Sequence, residues 1–165
     1  MDLYERWSEA RTKIPPGKYH IRCINKERPK IWVEGSKGWG ELLNRVVLWF
    51  EIIEGPEIGK IIPMFLNLPT DKQGKLIDKI SDGHRYHDAW RVANGGERPP
   101  RNRFKEMNPS KFLNKSFTAE VSTVKPTWLV PSEDGGKPEK KEKPDIFHYS
   151  RVFCLYELIT GNPEN

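Results

Sequence analysis

The sequence predicts a mainly β fold, a five-stranded barrel with a helical insert between its third and fourth strands. Three observations carry that prediction. Three segments, 17–25, 44–54 and 116–124, place their residues on two faces at the two-residue period of a strand, and 60–66 and 149–159 read as two further strands. The alternation stops over 67–115, where helix-like composition and a basic stretch take its place. Clusters of Pro, Gly, Asn and Asp punctuate the chain between these segments.

Residues 2–11 read as a short helix, with Leu3, Trp7 and Ala10 on one stripe, expected to pack against the barrel. Pro15-Pro16-Gly17 ends it, so 1–16 form an N-terminal helix and linker. The first strand spans 17–25, with Tyr19, Ile21 and Cys23 on one side and His20, Arg22 and Ile24 on the other. Residues 26–44 hold charges, Pro29, glycines and two tryptophans, which predicts a long loop or small hairpin. The strongest strand signal is 44–54, where Val46, Leu48, Phe50 and Ile52 oppose Arg45, Val47, Trp49, Glu51 and Ile53. A turn at Glu54-Gly55-Pro56-Glu57-Ile58-Gly59 makes a hairpin with a third strand over 60–66. Pro63 cannot donate to a ladder, so the backbone there is expected to face solvent or bulge.

Residues 72–80 and 84–93 read as helices, the second stopped by Asn94-Gly95-Gly96. Strand four spans 116–124, and 149–159 is the last strand. Between them 125–147 include a mixed run, Pro138-Glu139-Lys140-Lys141-Glu142-Lys143-Pro144, expected to be mobile. The domain thus covers 17–161, with its insert at 67–115 and a short tail at 162–165.

A chain of 165 residues suits one domain with a real core. Six Trp, five Tyr and seven Phe exceed what a disordered chain carries, and a small barrel cannot fully bury all six tryptophans. No apolar run is long enough to span a membrane and the amino terminus lacks a signal-peptide pattern, so no membrane association and a cytoplasmic location are expected. Cys23 and Cys154 both fall in strand-like segments, which predicts buried thiols rather than a disulfide.

The net charge of +5 is modest, so its placement matters more than its size. Arg98, Arg101, Arg103, Lys105, Lys111 and Lys115 stand against Glu106 alone over 98–115, an excess that matches the whole net charge. Phe104 and Phe112 are interleaved there, which suits a polyanion with stackable bases; a solvated loop is the plainer reading.

The order strand, strand, strand, helical insert, strand, strand, with long loops after the first and fourth strands, resembles the OB-fold, a Greek-key barrel that binds oligonucleotides or oligosaccharides on its second and third strands and in those two loops. Over 17–160 the chain is similar, at the level of element order, to the single-stranded DNA-binding proteins of bacteria, phages and mobile elements. The chain ends Thr160-Gly161-Asn162-Pro163-Glu164-Asn165, without the acidic tail and aromatic tip of the bacterial housekeeping proteins, so the phage or mobile-element type is the closer comparison.

Binding single strands without sequence preference needs cations that track phosphates and flat side chains on which bases stack. In the first long loop and beside it, Lys30, Trp32, Lys37, Trp39 and Arg45 supply both, unless the tryptophans fold back to cap the barrel. Trp49 lies opposite the apolar face of strand two, either open to ligand or covered by the helical insert. Arg101, Arg103 and Lys105 join from the basic stretch, and Lys125 with Trp128 repeat the cation–aromatic pairing in the loop between strands four and five.

No catalytic group or cofactor is expected: no phosphate-cradling glycine loop, Gly-x-Ser-x-Gly elbow or two-metal carboxylate array occurs. His84 and His87, three apart on a helix, have no neighbouring Cys or third His to complete a zinc site. The expected function is therefore single-stranded nucleic-acid binding, DNA favoured over RNA, in replication or recombination alongside the proteins of those processes. The alternative is a protein-interaction module, a replication accessory or phage-encoded inhibitor, with Trp7, Trp32 and Trp128 as apolar anchors. Unpaired strand edges leave a homo-oligomer open.

Overall fold

A computed structural model describes residues 3, 6–7, 11–27, 32–34, 40–42, 45–73, 75–80, 82–99, 101 and 103–160, with the backbone alone at 32–34 and 40–42. Among the described residues nine strands form: β1 Gly17–Glu27, β2 Trp32–Glu34, β3 Gly40–Leu42, β4 Arg45–Ile52, β5 Ile61–Asn67, β6 Ser116–Val124, β7 Thr127–Val130, β8 Glu139–Glu142 and β9 Tyr149–Ile159. The helix α1, Arg85–Ala93, lies between β5 and β6.

Five strands make one antiparallel sheet in the order β5-β4-β1-β6-β9. Its two edges approach each other, and the rings of Phe65 on β5 and Tyr149 on β9 are 6.2 Å apart. Among the described residues no ladder joins them, so the sheet is curled and not closed. Bulges let it curl: the register shifts between Cys23 and Asn25 on β1 and twice between β6 and β9.

The predicted alternation decides which side chains face inward. Ile21 and Cys23 of β1, Val46, Leu48, Phe50 and Ile52 of β4, and Phe117, Ala119 and Val121 of β6 are buried in the main core. Helix α1 closes one side of this core with Tyr86, Ala89, Trp90 and Ala93. Two hydrogen bonds fix it to the following segment: the Tyr86 hydroxyl donates to the Met107 carbonyl, and Trp90 Nε1 donates to the Asn108 carbonyl at 3.1 Å. His84 caps the helix by accepting from the Tyr86 N–H, and Asn94-Gly95-Gly96 ends it as expected. Pro63 is tolerated because β5 is an edge strand; it lies opposite Trp49 in an unshifted register and is buried, neither bulged nor facing solvent.

Two expectations are corrected. The segment 72–80 is not helical among its described residues. The Asp71 carboxylate accepts from the Gln73 and Lys75 N–H groups, and the chain turns back through a bridge between Thr70 and Leu76. This is local side-chain competition with helix formation. The run 138–144, which reads as a solvated loop, instead contributes β8 to the β7–β8 hairpin, in which Trp128 pairs with Lys141 and Leu129 with Lys140. Buried His148 anchors its base, with Nε2 2.9 Å from the Lys143 carbonyl and Nδ1 3.2 Å from Asp145 Oδ1. The long loop at 26–44 likewise contains a hairpin, β2–β3.

Candidate nucleic-acid interface

The outward face of β4 is covered, but not by the helical insert. Leu3, Arg6 and Trp7 are helical, and Trp7 packs edge-on against Trp49, Phe65 and Tyr149 with centroid distances of 6.1, 5.5 and 4.9 Å. The linker behind it is pinned to β9: Ser150 N–H donates to the Thr12 carbonyl, and the Ser150 hydroxyl accepts from Ile14 N–H at 2.7 Å. Trp49 is consequently 1% exposed, and its Nε1–H donates to Glu27 at 3.0 Å. Trp49 is therefore not available for base stacking, which corrects the expectation that it faces ligand: the same outward parity that suggested exposure instead makes it the floor of a second, smaller core.

The other predicted residues divide three ways. Lys30, Lys37 and Trp39 lie outside the described residues, as does the side chain of Trp32, whose backbone belongs to β2. Arg45 is half-buried, lies over the Phe65 ring and donates to Asn67. Arg101, Lys105, Lys125 and Trp128 are exposed, Arg101 with a left-handed φ of 61° that non-glycine residues seldom adopt.

Tertiary pairing reduces the charge excess of 98–115. Arg98 meets Asp82 at 2.7 Å, Arg103 approaches Asp78 at 3.9 Å, and Lys115 donates to the Ala93 carbonyl at the end of α1. Asp78 and Asp82 precede the stretch in sequence, so counting charges within it missed them. Lys105 lines a cavity of about 320 Å³ with Lys26 and Phe104.

A different set of residues combines accessible rings with cations. Trp128, Phe153 and Tyr156 are 45%, 49% and 48% exposed. Each carries a cation over its ring: Lys143 over Trp128 at 5.8 Å, Arg85 over Phe153 at 5.7 Å, Lys18 over Tyr156 at 5.1 Å. Lys143, not Lys125, is thus the partner of Trp128, and it belongs to the run that read as a solvated loop. Tyr149, Arg151 and Phe153 follow one another on β9 at period two, with the core residues Ser150 and Val152 between them, so their shared outward face was legible in the alternation.

Arginines gather where α1 meets β9. Arg85 donates to the Phe153 carbonyl, and burial lowers its pKa, with Arg151 lowering it further, Cys154 opposing and Arg45 adding a smaller depression. No group of three or more His, Cys, Asp or Glu side chains able to hold a metal lies among the described residues, and no helix among them is long and apolar enough to cross a membrane. Comparison with protein-family models, curated proteins and solved structures found no match to this chain.

Proposed function

We propose that this chain is an OB-fold protein that binds single-stranded nucleic acid, DNA in preference to RNA, and serves DNA replication or recombination. The observation that carries the reading is the trio of exposed rings, each under its own cation, along β9 and the β7–β8 hairpin. Such pairs offer a base a flat face and its phosphate a positive charge in one place. The strand order β5-β4-β1-β6-β9 with approaching edges supports the barrel, since an OB-fold places its first strand between the second and fourth. Both long loops contain hairpins, β2–β3 and β7–β8, and these are the loops that OB-folds use for ligand.

Fluorescence titration with a labelled oligo-dT of about 30 nucleotides, longer than the ~4 to 16 covered by one OB-fold, tests the proposal. Tight binding at low salt that weakens steeply as salt rises is expected, because phosphate contacts release counterions. Trp128→Ala should weaken it by about 1 to 3 kcal/mol. Binding that ignores salt, or its absence at low salt, would overturn the reading.

One observation favours a second reading. Leu129 on β7 and Ile146 in the turn after β8, 65% and 81% exposed, leave apolar side chains open to solvent in the same segment as Trp128, as a protein partner would require. In that case Leu129→Asp abolishes partner capture while oligonucleotide binding is absent in the unsubstituted protein too.

A further inference from the structure

The α1–β9 junction has Arg85 at the start of α1 and Arg151 on β9. Among the described residues no ion pair joins a carboxylate to Arg85 or Arg151, whereas Arg98 and Arg103 of the insert find aspartates. Arg151 Nε is buried and meets no acceptor among the described residues. A buried N–H without an acceptor costs on the order of 1 to 3 kcal/mol, more when charged. The junction is also concave: a cavity of about 330 Å³ is lined by Arg85, Phe153, Cys154 and Leu155. Asp88 reaches its wall, but its Oδ1 accepts from Gly83 N–H at 3.1 Å and lies 3.2 Å from His87 Nδ1.

Arg85 lines this open cavity beside the exposed Phe153 ring, and Arg151, with its orphaned Nε–H, stands two residues along β9 on the same outward face as Phe153; these are the parts of an oxyanion site. Guanidinium forks match a phosphate's oxygens two at a time, and Phe153 stands ready for the base next to that phosphate. We propose that the α1–β9 cleft binds a backbone phosphodiester of the single strand, held by Arg85 and Arg151, with the adjoining base on Phe153. The inference rests on the nucleic-acid reading above and adds to it the place where the backbone is gripped.

Salt-dependent titration with the same oligo-dT separates the two claims. Each phosphate contact contributes about −0.7 to the slope of log K against log salt for single strands. Arg151→Gln and Arg85→Gln should each make the slope shallower by about that amount and weaken binding alike for oligo-dT and oligo-dA. Because Arg85 also supports β9 through the Phe153 carbonyl, a readout on the unsubstituted protein accompanies the variants: the Nε–H resonances of Arg85 and Arg151 should shift in ¹⁵N-resolved NMR spectra on adding oligo-dT. Steep, salt-sensitive binding with unchanged slopes in both variants and unmoved Nε–H signals would overturn the cleft while leaving the function intact. No oligo-dT binding by the unsubstituted protein would overturn both.

Discussion

Trp49 shows how one side chain can carry a second core. Its ring supports Trp7 on the outer face of β4, while its Nε1–H is satisfied by Glu27, so both its apolar and polar needs are met inside the fold. Trp49→Ala should therefore destabilise the protein by about 3 to 5 kcal/mol, the usual cost of removing a buried large aromatic. Chemical denaturation checks this, with a lower midpoint expected. A variant whose midpoint is unchanged would show that Trp7 does not depend on this floor. Trp128 contrasts with it: nearly half exposed, it contributes little to stability, so its removal reads on binding.

At the scale of elements, α1 matters because three separate features converge on it. Its buried face completes the core, its first residue supplies Arg85 to the β9 cleft, and its last turn receives Lys115 on the Ala93 carbonyl. His84 starts the helix through a side-chain cap rather than an aspartate or serine, with ring nitrogen Nδ1 3.2 Å from Tyr86 N. His84→Ala should cost about 0.5 to 2 kcal/mol, measured by thermal or urea unfolding, whereas His84→Asn should retain most of that stability. Equal loss in both variants would place the role of His84 outside capping. The strands β1, β4 and β6 were legible in the sequence from inward apolar residues at period two, β5 and β9 from apolar and β-branched runs bounded by turn residues, and α1 from its composition and its Asn94-Gly95-Gly96 stop. The failed helix at 72–80 was not, since its outcome depends on the Asp71 carboxylate reaching two N–H groups that composition does not weigh.

For the whole molecule, one contribution to the alkaline limit of stability follows from the buried Cys23 thiol. Burial pushes the Cys23 thiol from an ordinary 9.0 up to about 12, and burial followed by Glu57 raises Tyr19. A folded-state pKa above the unfolded value means the unfolded chain releases its proton first. The stabilisation is complete below 9.0 and is lost as pH rises through about 12. Lys115, lowered by burial and then by Lys111, works in the opposite sense, so the comparison should be between the native protein and Cys23→Ala. Unfolding free energy measured from pH 8 upward should fall more steeply in the native protein, about the interval in which free thiols ionise. Identical slopes would show that Cys23 ionises freely in the fold.

The candidate interface was legible only in part. The chemistry, cations beside exposed tryptophan, could be read from residue types, and Trp128 fits it. The partners could not, because Lys143 reaches Trp128 across a hairpin and Arg85 reaches Phe153 from another element. The sequence by itself determined the five main strands, the inward and outward parity of β1, β4 and β6 and the insert's position, since these depend on neighbours a few residues apart. Only the tertiary structure decided that Trp49 is roofed by Trp7, that aspartates offset Arg98 and Arg103, and that Arg85 lies over Phe153 of β9. Burial and charge compensation are set by residues distant in the chain, and their identity is fixed when the sheet curls and brings its edges together.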